Sequence, residues 1–302
     1  MNLIDKLLKG DRAALARLIS RIEDNRADAS SILREINPHT GNAYTIGITG
    51  PPGAGKSTFV NSLTALFRQQ GKKVGVIAVD PSSPFTGGAV LGDRIRMQDH
   101  TADKDVFIRS IGSRGSQGGL SKATAQILKL YDAYGFDIVM IETVGVGQTE
   151  LDIIRIADTV LVILVPESGD VVQSMKAGLM EIADIFIVNK ADREGAEKIS
   201  RDIRSIASES GSDHAWQIPV LLTTANKNEG IDEAAGAIED HNKYQQENNL
   251  LEKKLQDTRK LELIEIILEK FEDRLSHQFN NPEIEKIVRE VQNGSLQPYE
   301  GA

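Results

Sequence analysis

The chain has 302 residues, of which 40% are hydrophobic and 26% are charged, a composition typical of a globular protein with one large core. Its formal net charge of −9 argues against nucleic acid as a partner, because nonspecific binding to phosphate backbones needs a basic surface. Cysteine is absent, which excludes disulfides and thiolate sites and fits a reducing compartment. No apolar run approaches the length of a membrane span. We therefore expect a cytoplasmic protein without a membrane partner.

Residues 1–40 are predicted to form a helical N-terminal extension. Their apolar side chains recur at steps of three and four, and Pro38 and Gly41 mark a break after them. The apolar positions are Leu3, Leu7, Leu8, Leu15, Leu18, Ile19 and Ile22.

Residues 41–240 alternate between short β-branched runs and helical patterns. The runs, in chain order, are YTIGIT, VGVIAV, VFIRSI, FDIVMIE, TVLVILV, DIFIVN and IPVLLT. Alternation of this kind is typical of βαβ units around a buried sheet. The sequence therefore predicts an α/β fold with a mostly parallel sheet flanked by helices.

Residues 241–302 are rich in Glu, Lys, Gln, Asn and Leu and are predicted to form a helical C-terminal arm. An apolar stripe at helical spacing runs along it: Leu261, Ile264, Leu268, Phe271 and Leu275. Such a stripe needs a cover. Two covers stay open from the sequence, the body of the same chain and a second copy in a homodimer.

A phosphate-binding loop follows the first predicted strand. The segment Gly50-Pro51-Pro52-Gly53-Ala54-Gly55-Lys56-Ser57 fits the pattern G-x-x-x-x-G-K-[ST], between a strand and a helix that begins near Thr58. In this pattern the backbone N–H groups surround the phosphates, the lysine reaches the β and γ oxygens and the serine ligates magnesium. We expect a P-loop NTPase sheet that binds a nucleoside triphosphate with Mg²⁺.

A second motif predicts that the base is guanine. Asn189-Lys190-Ala191-Asp192 directly follows the strand DIFIVN, and the Asp192 carboxylate can accept hydrogen bonds from guanine N1–H and the 2-amino group. Adenine offers neither donor, so the carboxylate would be left unpaired beside it. Thr224-Ala225-Asn226 follows the strand IPVLLT and is predicted to lie against the base.

Three acidic residues are candidates for the magnesium and catalytic site, because carboxylates near the phosphates hold Mg²⁺ directly or through water. Glu142 ends the strand FDIVMIE, and Gly145 after it is placed to donate its N–H to a γ-phosphate. Asp80 ends the strand VGVIAV, and Asp93 lies in the run LGDRIR. The alternatives are turn caps for Asp80 and Asp93, and an ordinary acid at a strand end for Glu142.

Four cations are further candidates for neutralising charge on the γ-phosphate. They are Arg94, Arg96, Arg109 and Lys176. The alternative for each is an ordinary solvated side chain.

Together these residues resemble the MeaB/ArgK-type GTPases, the chaperones of adenosylcobalamin-dependent methylmalonyl-CoA mutase. The resemblance rests on the segments GDRAALARLIS, GPPGAGKST, VDPSSPFTGGAVLGDRIRM, ETVGVGQTE and NKAD. It implies a homodimeric GTPase, helical at both ends, that converts GTP to GDP and gates loading of adenosylcobalamin into methylmalonyl-CoA mutase or a related acyl-CoA mutase. It also implies that the acids Asp80, Asp93 and Glu142 surround magnesium and the γ-phosphate.

Two other enzymatic functions stay open from the sequence. An ATP-dependent protein kinase would share the phosphate loop, but the guanine motif argues against it. A nickel-insertion GTPase would share the glutamate, here Glu142, in the place of the aspartate of the usual D-x-x-G switch motif. Such proteins generally need cysteine and histidine ligands, whereas this chain has five histidines and no cysteine.

Overall fold

The computed structural model describes the chain in nine stretches and divides it into two compact units. The described residues are 2–24, 28–80, 100, 102–112, 122–143, 149–168, 182–210, 216–278 and 281–301. The first unit is Met1–Asn248 and the second is Asn249–Ala302.

The first unit is built on a sheet of seven parallel strands in the order β3-β2-β4-β1-β5-β6-β7. The strands are β1 (Tyr44–Thr49), β2 (Val74–Asp80), β3 (Val106–Gly112), β4 (Ile138–Glu142), β5 (Thr159–Leu164), β6 (Ile185–Asn189) and β7 (Val220–Thr223). Apolar side chains cover the sheet in two buried clusters, as parallel strands require. The predicted α/β fold with a parallel sheet is confirmed.

Eight helices of the described residues belong to this unit. They are α1 (Leu3–Leu8), α2 (Arg12–Glu23), α3 (Ala29–Ile36), α4 (Lys56–Gln69), α5 (Lys122–Tyr134), α6 (Thr149–Ile156), α7 (Ala196–Ser210) and α8 (Ile231–Glu247). The N-terminal helices pack against α5 and add their apolar side chains to one of the two clusters. The Asp11 side chain caps α2, accepting hydrogen bonds from the N–H groups of Ala13 and Ala14 at 2.8 and 3.0 Å.

The chain order places a topological switch point beside β1. After β1 the chain runs to β2 and β3 on one side, returns to β4, and then continues to β5, β6 and β7 on the other side. Ligands of open α/β sheets bind outside the carboxyl ends of strands at such a point. The candidate residues at or after the ends of β1, β4, β6 and β7 all lie on this side of the sheet, at the carboxyl ends of the strands.

A buried polar network connects α8 to the amino-terminal ends of the strands, on the side of the sheet opposite the candidate site. Thr159 at the start of β5 lies 2.7 Å from Nδ1 of His241, which is 3% exposed, and it also contacts the Tyr44 hydroxyl. Tyr44 donates to Gln245 at 3.1 Å, and burial raises the pKa of the Tyr44 hydroxyl. Because its polar groups are paired, this network joins helix and sheet without a large desolvation cost.

The second unit consists of the helices α9 (Leu250–Gln278), α10 (Pro282–Gln292) and α11 (Pro298–Gly301). Many large apolar side chains of α9 are exposed, among them Leu261, Leu263, Ile264, Ile267, Leu268, Phe271 and Leu275. The stripe predicted from the sequence is therefore present as an exposed helical face. None of the helices in the described part of the chain is long and apolar enough to cross a membrane.

Candidate active site

The phosphate loop joins β1 to α4, and its lysine is held in the loop. Lys56 is the first residue of α4 and is 7% exposed. Its Nζ donates to the carbonyl oxygens of Gly50 and Pro51 at 2.8 and 3.0 Å. Since phosphate oxygens are stronger acceptors than carbonyls for an ammonium group, a bound nucleotide can take over these hydrogen bonds. The N-terminus of α4 adds the positive end of the helix dipole at the same place.

Gly50 is the residue of this loop with the least room for a side chain. Its φ is +138°, and a Cβ built there would lie 2.0 Å from the carbonyl oxygen of Ile163 in β5. Gly53 also has a positive φ, +77°, but a Cβ there would meet nothing within 4 Å. A substitution at Gly50 therefore tests steric exclusion together with backbone strain, whereas a substitution at Gly53 tests backbone strain alone.

We expect Gly50→Ala to lower the free energy of unfolding by about 3 kcal/mol or more, because a backbone carbonyl must move to admit the methyl group. The control Gly53→Ala should lose only about 1 kcal/mol, the usual strain of a left-handed residue. Urea unfolding of the nucleotide-free protein measures both, with fluorescence of the single tryptophan, Trp216 in the first unit, as the signal. Equal losses in the two variants would contradict the close approach of Gly50 to β5.

The oxygen atoms of Ser57 and Glu142 form the core of a candidate magnesium site. The Ser57 hydroxyl donates to Oε1 of Glu142 at 2.7 Å, and the two residues are 7% and 6% exposed. A hydroxyl and a carboxylate are hard oxygen donors of the kind Mg²⁺ prefers, and Mg²⁺ is usually held by few protein ligands with phosphates and water. Among the described residues, no group of three His, Asp or Glu side chains forms a metal site by itself. The pair therefore fits a metal ion that arrives with nucleotide phosphates.

The other predicted acids and Gly145 are only partly covered by the described residues. Asp80 is the last residue of β2 and pairs in register with Gly112 of β3. In the neighbouring pairing, Ala78 of β2 lies opposite Glu142 of β4, so the backbones of Asp80 and Glu142 reach the same edge of the sheet. Asp93 and Gly145 lie outside the described residues, and their roles stay predictions.

The structure holds Arg109 against α2. Its guanidinium donates to Glu23 at 2.6 Å and to the Ser20 hydroxyl at 3.3 Å. These contacts occupy the group proposed above to neutralise the γ-phosphate, and they favour the structural alternative for this arginine. Arg94, Arg96 and Lys176 lie outside the described residues.

Asn189 at the end of β6 connects the phosphate loop to the loop after β7. Its Nδ2 donates to the carbonyl of Ala54 at 2.9 Å. Its Oδ1 accepts from the Thr223 hydroxyl and from the N–H of Ala225, each at 3.1 Å. One side chain, 3% exposed, therefore fixes the spacing between the phosphate end and the predicted base end of the site.

Lys190 and Asp192 are the other polar residues of the predicted guanine motif after β6. Lys190 has a φ of +57°, and its Nζ donates to the carbonyl of Gly53 at 2.7 Å, so a second contact joins this motif to the phosphate loop. The Asp192 carboxylate is 40% exposed and lies 3.5 Å from Nζ of Lys227. It is therefore open to a ligand from the solvent side.

The loop predicted to lie against the base has a buried start and an exposed end. Thr224 and Ala225 are 3% and 2% exposed, whereas Asn226 is exposed. Ala225 begins a short 3-10 turn, Ala225–Lys227, whose first carbonyl accepts from the hydroxyl of Ser62 in α4 at 2.9 Å. This contact fixes the base loop to the helix that follows the phosphate loop.

Ser62 and Thr223 are positioning residues that no motif in the sequence indicates. Ser62 is a buried hydroxyl within the apolar face of α4, beside Phe59 and Leu63. A polar residue at a buried helical position is the signal that could have revealed it, because buried hydroxyls need a hydrogen-bond partner. For Thr223 no such signal exists, since its partner Asn189 is distant in sequence.

The loops after β5 and β6 are joined by an ion pair beside the site. The guanidinium of Arg193, next to Asp192, donates to Glu167 at 2.5 Å, and this hydrogen bond lowers the pKa of the Glu167 carboxyl. Both side chains are about half exposed, so the pair contributes little to stability. It links Glu167, after β5, to the residue that follows Asp192.

A comparison with protein families identifies the chain. The family model described as "Methylmalonyl Co-A mutase-associated GTPase MeaB" matches residues 15–280. The chain belongs to the MeaB family of GTPases. This finding confirms the resemblance inferred from the motifs.

Individual MeaB-family relatives agree along nearly the whole chain. A putative GTPase of Pyrococcus abyssi is 47% identical over 99% of this chain and 94% of its own length. The GTPase ArgK of Escherichia coli is 36% identical over 99% and 93%. A solved structure titled "LAO/AO transport system kinase" matches with a TM-score of 0.72 and 31% identity, covering 99% of this chain and 93% of its own.

Proposed function

We propose that this MeaB-family GTPase binds GTP with Mg²⁺, hydrolyses it to GDP and phosphate, and uses that cycle as a chaperone of an adenosylcobalamin-dependent acyl-CoA mutase. Methylmalonyl-CoA mutase or a related enzyme is the partner. The nucleotide state gates loading of the cofactor into the mutase and protects the mutase from inactivation. The family match over residues 15–280 is the observation that carries the mutase assignment.

The phosphoryl step depends mainly on positioning and charge. Nζ of Lys56 leaves the loop carbonyls and donates instead to the β and γ phosphate oxygens. Backbone N–H groups of Gly50 to Ser57 surround the phosphates. The Ser57 hydroxyl and Glu142 would hold Mg²⁺, with Asp80 and Asp93 as further acids around it. When bound, Mg²⁺ neutralises charge developing on the transferred phosphoryl group. Glu142 and the N–H of Gly145 then orient the attacking water and the γ-phosphate.

Guanine recognition follows from the connection through Asn189. Because Asn189 joins Ala54 of the phosphate loop to Ala225 of the base loop, a nucleotide held by its phosphates presents its base to a fixed surface. Asp192 accepts from N1–H and the 2-amino group of guanine, and Thr224, Ala225 and Asn226 lie along the base edge. Thr58, exposed in the first turn of α4, is available to the α-phosphate.

We further propose a homodimer through the exposed face of α9. This face carries a row of half-exposed leucine, isoleucine and phenylalanine side chains, and a continuous apolar row of this kind is typical of an interaction surface. A second copy presents the same row, so the contact is self-complementary.

The proposal predicts slow hydrolysis by the protein alone, at about 10⁻⁴ to 10⁻² per second, the range of unassisted P-loop GTPases. Adding methylmalonyl-CoA mutase should raise turnover by about 10-fold or more, if docking orders the catalytic residues. Phosphate release measured against GTP consumed provides both rates. An acyl-CoA enzyme that does not bind cobalamin is the matched control.

Two outcomes would contradict the proposal. Equal turnover with and without the mutase would exclude partner activation. GTP consumption without an equal amount of free phosphate, with label appearing on a protein acceptor, would instead support the kinase alternative.

A further inference from the structure

A lysine outside the recognised motifs lies beside the carboxylate that is proposed to read guanine. Nζ of Lys227 is 3.5 Å from Oδ2 of Asp192, and the two side chains are 50% and 40% exposed. Lys227 comes from the loop after β7, whereas Asp192 comes from the loop after β6. The pair therefore joins the two loops at the predicted base position.

The backbone that carries Lys227 is firmly placed. Lys227 ends the 3-10 turn Ala225–Lys227, and its N–H donates to the carbonyl of Thr224 at 2.8 Å. Asn228 follows with a φ of +58°, and Thr224 and Glu229 exchange backbone hydrogen bonds across the turn. The turn is also hydrogen-bonded to Asn189 and Ser62. Its backbone therefore holds Lys227 beside Asp192.

The geometry leaves the carboxylate able to bind guanine while it keeps its lysine. An ionised carboxylate has about four lone-pair sites on two oxygens, and the 3.5 Å contact of Lys227 is with one of them, Oδ2. Guanine needs two acceptor sites for its N1–H and 2-amino group. A base that covers Asp192 displaces water from the charged carboxylate. The neighbouring Lys227 ammonium offsets part of that desolvation cost.

We propose that Lys227 is a specificity-determining positioning residue: it holds the Asp192 carboxylate toward the base and balances its charge when guanine displaces water. The inference rests on the proposed binding of guanine nucleotides at this site. It assigns to Lys227 an action through Asp192 and no direct contact with the base.

The test is the affinity for GDP of Lys227→Met, measured by calorimetry at low and high salt. We expect binding to weaken about 3- to 5-fold at low salt, the scale of a partly exposed ion pair, and the loss to shrink as salt screens the pair. Lys227→Arg should restore affinity. The control Lys243→Met removes a lysine from another exposed pair, with Glu247 at 3.9 Å in α8, and should bind GDP like the parent.

A double-variant cycle separates action through Asp192 from a general structural role. Asp192→Asn carries no charge for the lysine to balance, so adding Lys227→Met to it should leave its affinity for xanthosine diphosphate unchanged. An equal loss in both backgrounds, or no loss in the parent, would overturn the inference while leaving guanine binding intact. If the parent protein itself failed to bind GDP, the proposed function would fail first.

Discussion

Replacing Asp192 with asparagine is expected to weaken GDP binding by about 10³-fold and to make xanthosine diphosphate the preferred ligand. The asparagine carbonyl oxygen can still accept from N1–H, but its NH2 group donates where the second carboxylate oxygen accepted. This NH2 group opposes the 2-amino group of guanine and matches the 2-oxo group of xanthine. The change is expected to be local, because the Asp192 side chain is 40% exposed and lies 3.5 Å from Nζ of Lys227.

Competition between the two diphosphates for the purified variant measures this exchange. Asp240→Asn, at an exposed position of α8, is the matched control and should keep the parent preference for GDP. Retention of GDP preference by Asp192→Asn would show that another group selects the base. Tight binding of ATP by the parent protein would defeat the guanine assignment altogether.

Glu142→Gln is expected to lower the rate of GTP hydrolysis by about 10²- to 10³-fold, comparable to the loss of one preorganised group at a reacting centre. The amide keeps the size of the side chain but removes the negative charge that faces Ser57 at 2.7 Å. The variant should therefore need more Mg²⁺ for half-maximal activity, whereas its affinity for GDP in excess Mg²⁺ should change little.

Single-turnover hydrolysis across a magnesium titration separates these effects. Glu239→Gln changes the same chemical group at an exposed position of α8 and should behave like the parent. A normal rate with a normal magnesium requirement in Glu142→Gln would remove Glu142 from the site. The role would then fall to the other predicted acids, Asp80 and Asp93.

Local sequence patterns were sufficient to predict the elements and the motifs. The run YTIGIT becomes β1 with the predicted bounds, and the glycine-rich segment after it becomes the turn into α4, which begins at Lys56, two residues before the predicted start. Both features depend on neighbouring residues alone, through β-branched side chains and glycine backbone freedom. The order of the strands depends on how distant segments pair, and no local pattern specifies it.

The same limit applies within the site. Asn189 was predicted as part of a guanine motif, but its bonds to Ala54 and Thr223 span 135 and 34 residues of sequence. The Lys227–Asp192 pair likewise exists only because β6 and β7 are neighbours in the sheet. Arg109 shows the converse, since a cation predicted to neutralise the γ-phosphate is held by Glu23 of the N-terminal extension.

The bonds of Asn189 also mean that recognition of the nucleotide is not modular. Its amide meets the phosphate loop with one atom and the base loop with the other, so the distance between the two half-sites is set before any ligand arrives. A whole nucleotide gains from both halves at once, as a bidentate ligand does, whereas a nucleoside or a pyrophosphate alone collects only one. A substitution at Asn189 would therefore weaken binding of the phosphates and of the base together.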